Sequence, residues 1–246
     1  MVMAEKVSIE LKNVCKKYGE TKALDNVSII IYGGEFVTII GSSGCGKTTL
    51  LKTVNALVKP DSGSVLVNGK DVAAMDVIKL RRSIGYVIQN IGLFPHMNVK
   101  RNISYVPTLI NRKSKTRDEE YILRLIKVVG LDESILSRFP SELSGGQQQR
   151  VGLARALAAE PNILLMDEPF GSVDEITRKM LQDEIKRIHK TLRCTILFVT
   201  HDIDEALRLG DRVVVMNNGS IIQIGTPQFV CQNPADDFVS RLLGRN

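Results

Sequence analysis

The fold is decided by the stretch Gly41-Ser42-Ser43-Gly44-Cys45-Gly46-Lys47-Thr48. Residues 35–40, just before it, are mainly apolar and β-branched, which predicts a buried strand. Residues 48–57, just after it, have the pattern of a helix that ends before Pro60. A strand, a glycine-rich loop that ends in Lys-Thr, and a helix are the context that a phosphate-binding loop requires.

The residue types in this loop suit an anionic ligand. Glycine lets successive backbone N–H groups curl around a phosphate without Cβ clashes, and the helix N-terminus adds the positive end of its dipole. Lys47 can reach the β- and γ-phosphates of a nucleotide, and the Thr48 hydroxyl can bind Mg²⁺. We therefore expect residues 41–48 and the adjoining Thr49 to hold a nucleotide.

Composition places the chain among ordinary globular proteins. It has 246 residues, of which 43% are hydrophobic and 24% charged, and a formal net charge of +6. This modest charge is explained by a solvated basic surface together with a nucleotide site, and a face toward anionic lipid or a membrane partner stays open as an alternative. We expect no nucleic-acid partner. The four cysteines lack CxxC spacing, which argues against a zinc site or a disulfide scaffold and fits a reducing cytosol. No segment has the length and apolarity of a signal peptide or a membrane span.

The pattern along the chain changes from strands to helices and back. The front third is predicted to be mostly antiparallel β-structure around the loop strand, and a further strand is predicted at residues 84–89. Residues 94–155 are predicted to form an inserted helical subdomain, in which the basic run at 112–117 is an exposed loop. The last part is predicted to alternate strands at 162–166, 195–200, 212–216 and 220–224 with helices at 177–192 and 204–209. Asn217-Asn218-Gly219 predicts a hairpin turn.

Three charged or ionisable residues follow buried strands of this last part. Asp167 comes at the end of an apolar run, which we expect to lie beside the loop strand, and its carboxylate can hold Mg²⁺. Glu168 comes next and can polarise an attacking water. His201 ends the following strand, where a neutral imidazole could contact the γ-phosphate and hold the water and Glu168 in geometry. Lys47, Glu168 and His201 are therefore the predicted catalytic residues.

A second phosphate-binding element is predicted at Ser144-Gly145-Gly146-Gln147. A serine and two glycines at the start of a helix form another anion-binding nest. The chain thus contains two phosphate-binding halves, of which only the first has a lysine.

These elements together resemble the ATPase subunit of an ABC transporter, and the resemblance covers nearly the whole chain. It implies an α/β P-loop NTPase with a RecA-like core, an antiparallel β subdomain and an inserted helical subdomain. The core with its β subdomain would comprise residues 1–93 and 156–246, and the helical signature subdomain residues 94–155. The implied activity is hydrolysis of ATP to ADP and phosphate with Mg²⁺, coupled to solute import.

The resemblance also implies partners and further site residues. In this family two copies form a head-to-tail dimer, and the signature loop of one copy caps the ATP on the other. Tyr18 is similar to the aromatic residue that stacks on adenine, and Gln89 to the glutamine that senses Mg²⁺ and links to the membrane subunit. Asp174 is similar to the aspartate of the loop that communicates across the dimer, although Ser172-Val173 departs from the usual Ala-Leu. The subunit would sit at the cytoplasmic face of the membrane on integral permease subunits, served indirectly by an extracytoplasmic solute-binding protein.

A narrower resemblance points to one group of importers. Residues 81–96, 167–171 and 198–206 are similar to those of bacterial importers for glycine betaine, carnitine or choline. Many members of that subfamily continue into paired cystathionine-β-synthase-type domains, whereas this sequence stops at Asn246. We expect either a short member or a chain cut at the domain boundary.

Several alternatives stay open from the sequence. The solute could be another small molecule, such as an amino acid or a sulfonate. A soluble ABC ATPase of DNA repair or translation would usually have two cassettes or a long coiled-coil insertion, and a P-loop kinase would not explain Ser144 to Gln147. Phe94 could contact the membrane subunit or belong to the core of the helical subdomain.

Overall fold

The computed structural model describes residues 6–89, 92–110, 118–171 and 173–244. These residues form two compact units, one of residues 6–81 with 193–244 and the other of residues within 82–192. The basic run predicted at 112–117 and Ser172 lie outside the described residues.

The elements alternate along the chain much as the sequence predicts. The strands are β1 (Val7–Tyr18), β2 (Thr21–Tyr32), β3 (Phe36–Gly41), β4 (Ser62–Val67), β5 (Lys70–Asp71), β6 (Ile84–Val87), β7 (Ile163–Asp167), β8 (Thr195–Val199), β9 (Arg212–Asn217) and β10 (Ser220–Gly225). The α-helices are α1 (Lys47–Val54), α2 (Val77–Ser83), α3 (Val99–Ile110), α4 (Asp118–Val128), α5 (Gly145–Leu157), α6 (Glu175–Leu192), α7 (Ile203–Leu209), α8 (Pro227–Gln232) and α9 (Asp237–Leu242). Short 3₁₀ helices lie at Val72–Ala74, Glu133–Ser137 and Pro140–Glu142.

The first unit contains an antiparallel sheet with the strand order β2-β1-β4-β5. In β2, the residues from Val27 to Ile31 alternate between buried and exposed, as expected for a strand with one face on a core. Asn68 and Gly69 turn the chain from β4 to β5 with φ values of 51° and 75°, the geometry typical of an Asn-Gly hairpin turn. The front third of the chain is therefore mostly antiparallel, as predicted, although the loop strand β3 is not part of this sheet.

Strand β3 instead lies in a parallel arrangement with two late strands of the same unit. It pairs with β8 on one side and with β9 on the other, and β9 pairs in turn with β10. Both edges of β3 are therefore occupied, and the prediction that the strand of Asp167 lies directly beside it was wrong. Strands buried on both faces all appear in sequence as apolar runs, which do not encode their order in a sheet.

The second unit combines a parallel strand pair with the helices that follow. Strands β6 and β7 pair in register, Tyr86 with Leu165, and every residue of β7 is buried. Helices α3 and α4 pack against α5. Helix α5 begins at Gly145, where Ser144 caps its N-terminus.

Candidate functional site

The phosphate-loop lysine is held inside its own loop. Lys47 is 8% exposed, and its Nζ donates to Gly41 O and Ser42 O at 2.9 Å each. The same Nζ lies 3.7 Å from Cys45 Sγ. These bonds fix the ammonium group above the start of α1, where the loop amides and the helix dipole also favour an anion. The donor set therefore fits the phosphates of a nucleotide.

The loop passes so close to other backbone segments that two positions exclude a side chain. A Cβ on Gly41 would lie 2.0 Å from Met216 O, and one on Gly46 would lie 2.0 Å from Ala23 O. The loop is thus pressed between β9 and β2 of the same unit. Its glycines are required by this close approach as well as by their positive φ angles.

The hairpin turn between β9 and β10 supports the loop, a role that the sequence reasoning missed. Gly219 N donates to Cys45 O at 3.1 Å, and Gly219 O accepts from Asp25 N at 2.9 Å. Ser42 Oγ donates to Asn217 Oδ1 at 3.2 Å. The Asn-Gly signal predicted the turn correctly, but nothing in its pattern indicated what the turn would touch.

The first unit also contains Tyr18 and His201. Tyr18 is 51% exposed at the end of β1, and Lys16 Nζ lies 5.6 Å from the centre of its ring. The ring is therefore available for the predicted stacking. His201 is exposed and follows β8, whose Val199 pairs with Ile39 of β3. His201 and Gly41 are each two residues beyond that pair, so the structure brings the histidine to the same sheet edge as the phosphate loop.

A buried carboxylate supports the chain around His201. Thr200 Oγ1 donates to Glu205 Oε2 at 2.5 Å and accepts from Asp202 N at 3.0 Å. Asp202 caps helix α7 by accepting from Glu205 N at 2.9 Å. The acidic pattern at the start of α7 could have indicated a helix cap, but not the contact of Glu205 with Thr200.

In the second unit, Asp167 is a buried carboxylate at the end of β7. It is 2% exposed. Burial raises the pKa of Tyr86, and the neighbouring Asp167 charge raises it further. Oxygen ligands of this kind suit Mg²⁺. Asp167 thus fits its predicted metal-binding role.

Glu168 has an unusual backbone and two glutamine contacts. Its φ is 48°, a left-handed conformation that costs a non-glycine residue about 1–2 kcal/mol. Gln89 Nε2 donates to its Oε2 at 3.2 Å, so the structure brings together two residues that the sequence could only place on separate strand ends. Gln149 Nε2 donates to Glu168 O at 3.3 Å. Gln149 was not predicted, although it lies four residues before the buried Leu153 on the same helix face.

The second predicted phosphate element is an N-terminal helix cap. Ser144 Oγ accepts from Gln147 N at 3.2 Å, while Ser144 N donates to Gln147 Oε1 at 2.9 Å. Ser144 and Gly145 are exposed, and Gly146 and Gln147 partly so. The capping box fixes the first turn of α5 and leaves it accessible to an anion from outside the unit.

Asp174 and Phe94 have local roles in the second unit. Asp174 caps the start of α6 by accepting from Thr177 N at 3.0 Å. This bond, helped by the charge of Arg150, lowers the pKa of the exposed Asp174 carboxyl. The Phe94 ring lies 4.7 Å from that of Tyr105 and 5.7 Å from the Arg155 guanidinium, which favours the packing role among its two alternatives.

Comparisons with known proteins agree with this fold and these motifs. Residues 24–171 match the family described as ABC transporter. The chain is 51% identical over 238 residues to the choline transport ATP-binding protein OpuBA of Bacillus subtilis, covering 96% of this chain and 62% of that protein. It is 48% identical over 238 residues to the glycine betaine uptake system ATP-binding protein YehX of Escherichia coli, covering 97% of this chain and 77% of that protein.

The chain is also similar to a solved structure of an ATP-binding cassette. The chain is similar to the dimeric ATP-binding cassette MJ0796 in a post-hydrolysis state bound to ADP and Pi, with a TM-score of 0.84 and 35% identity. The similarity covers 89% of this chain and 98% of that one. By its fold and by these similarities the chain is an ATP-binding cassette. It belongs to the ABC transporter family.

Proposed function

We propose that this chain is the ATP-hydrolysing subunit of an importer for quaternary ammonium osmoprotectants such as glycine betaine, carnitine and choline. The observation that carries the proposal is the sequence identity of this chain to the ATP-binding proteins OpuBA and YehX, which is 51% and 48%. The chain spans 62% of the length of OpuBA. In the described residues no helix combines the length and the apolarity needed to cross a bilayer. From its similarity to these transport proteins, we propose that the chain acts at the cytoplasmic face of the membrane on integral permease subunits.

Each site residue has a proposed role in ATP binding or hydrolysis. Lys47 and the amides of the phosphate loop bind the β- and γ-phosphates, and Tyr18 stacks on adenine. Glu168, positioned by Gln89, accepts a proton from the attacking water, and His201 orients the γ-phosphate. Thr48, Gln89 and Asp167 would hold Mg²⁺, which neutralises phosphate charge when bound.

We further propose that the working form is a head-to-tail dimer. The exposed first turn of α5, at Ser144 to Gln147, would cap the ATP bound by the partner, and Asp174 would lie at the same interface. The dimeric state of MJ0796 supports this proposal. At low protein concentration the ATPase rate should then rise more steeply than linearly with concentration, since two copies form each site.

The catalytic part of the proposal is tested by Glu168→Gln. The variant should bind ATP as the wild type does and lose about 10²–10⁴-fold in turnover, since it removes the general base. Glu133→Gln is the matched control, because Glu133 is an exposed carboxylate of the same unit. Full ATPase activity in Glu168→Gln would remove Glu168 from its role.

The transport part is tested separately by uptake. Deleting the gene in its own organism should reduce uptake of radiolabelled glycine betaine, carnitine or choline, and a plasmid copy of the wild type but not of Glu168→Gln should restore it. Normal uptake of all three amines in the deletion strain would assign the subunit to another small solute. Co-purification with an integral membrane subunit would distinguish an importer from a soluble ABC ATPase.

A further inference from the structure

Three consecutive side chains of helix α5 each hold a different segment of the second unit. Gln148 Nε2 donates to Pro140 O at 3.0 Å and to Leu143 O at 3.2 Å. Gln149 Nε2 donates to Glu168 O at 3.3 Å, and Arg150 Nη1 donates to Gly130 O at 2.7 Å. The helix that begins at the predicted ATP cap is therefore connected directly to the backbone of the predicted general base.

The Gln149 side chain is buried, and it contacts a residue with a strained, left-handed backbone conformation. Gln149 is 4% exposed, so its amide must be satisfied within the protein. Glu168 has a φ of 48°, and its carbonyl also accepts from Gly171 N at 3.3 Å. A left-handed non-glycine residue persists only where its surroundings hold it. Gln149 supplies one of the bonds that hold Glu168 in this conformation.

We infer that Gln149 is a positioning residue for ATP hydrolysis, which aims the Glu168 carboxylate at the water by fixing the Glu168 carbonyl. The inference rests on the proposed role of Glu168. Two amides then constrain the general base, Gln149 from the backbone side and Gln89 from the carboxylate side. Because Gln149 is on the helix capped by Ser144, a displacement of that cap on closure of the dimer would reach Glu168 through one side chain.

The test is Gln149→Met, which keeps the length of the side chain and removes the N–H donor. The kcat for ATP should fall about tenfold, the cost of one lost hydrogen bond at the general base, while the KM and the Kd for Mg·ATP stay at the wild-type values. Gln223→Met is the matched control. Gln223 is also a buried glutamine that donates to a backbone carbonyl, Asn233 O at 2.7 Å, and its loss should leave kcat unchanged.

A double-mutant cycle separates positioning from general damage. In single-turnover assays on the Glu168→Gln background, adding Gln149→Met should change the residual rate by less than twofold, because there is no base left to position. A tenfold fall on that background as well, or a wild-type kcat in Gln149→Met alone, would overturn the inference. If Glu168→Gln itself keeps full activity, the proposed function fails first, and the two failures are distinguishable.

A second variant protects the test against misfolding. Gln149→Asn keeps a polar amide but is one methylene shorter, so it cannot span the distance to Glu168 O. It should reproduce the fall in kcat, with thermal unfolding measured to show that the fold is kept. A folded Gln149→Asn variant with wild-type kcat would equally overturn the inference.

Discussion

Replacing Gly46 with alanine should destabilise the phosphate loop far more than the same change at Gly44. Both glycines have positive φ, 104° at Gly46 and 75° at Gly44, so each alanine adds about 1–2 kcal/mol of backbone strain. At Gly44 the new methyl group would meet nothing within 4 Å. At Gly46 it would lie 2.0 Å from Ala23 O and 3.2 Å from Leu24 Cδ2, and overpacking of this kind costs about 1–3 kcal/mol more.

The free energy of unfolding should therefore fall by about 3.5 kcal/mol in Gly46→Ala and by about 1.5 kcal/mol in Gly44→Ala. At about 2–4 °C per kcal/mol for a chain of this size, the melting temperature should fall by roughly 7–14 °C in the first and 3–6 °C in the second. Calorimetry without nucleotide measures both values, and urea unfolding gives an independent comparison. Equal losses in the two variants would show that the close approach of the loop to β2 does not determine its stability.

Three further predictions use other groups. Lys47→Ala should weaken Mg·ATP binding about tenfold or more in isothermal titration, with the exposed Lys79→Ala as control, and unchanged affinity would count against the loop assignment. Cys45 and Cys194 are each 3% exposed, so both should be alkylated slowly. Mg·ATP should slow alkylation of Cys45, inside the loop, further and should leave that of Cys194, whose pKa is raised by burial, unchanged. Mass spectrometry that finds equal Cys45 labelling rates in both conditions would contradict this. Bonds from two donors on β1 lower the pKa of Asp61, so its stabilising effect is present above about pH 4 and is lost as pH falls through the lower folded value. Asp61→Asn should thus lower the melting temperature at pH 7, and this loss should become smaller as the pH falls below about 4; an equal loss at every pH would refute it.

The local elements could be predicted because each depends on a short pattern. The loop at 41–48, the Asn-Gly turns and the buried strands follow from glycine placement and apolar runs that neighbours in sequence determine. The order of the strands could not be predicted in the same way. Strand β3 pairs with β8 and β9, more than 150 residues later in the chain, and all three have the same apolar character. Only packing against both faces selects those neighbours.

The site residues likewise fall into two groups, those that the sequence indicates and those that it does not. Lys47, Asp167, Glu168 and His201 could be proposed from sequence because each lies at the boundary of an element whose type can be recognised there, Lys47 at the start of α1 and the others at or just after strand ends. The residues that hold them were not, because a supporting contact depends on where two distant segments meet. Asn217 bonds to Ser42 and Glu205 to Thr200, and in each case the supporting side chain is an ordinary polar residue in sequence. Gln149 is the sharpest case, since its neighbours Gln147 and Gln148 have the same side chain and only the helix phase that begins at Ser144 turns Gln149 toward Glu168. The cap at Ser144 therefore determines which of the three glutamines 147–149 contacts the Glu168 carbonyl at the end of β7.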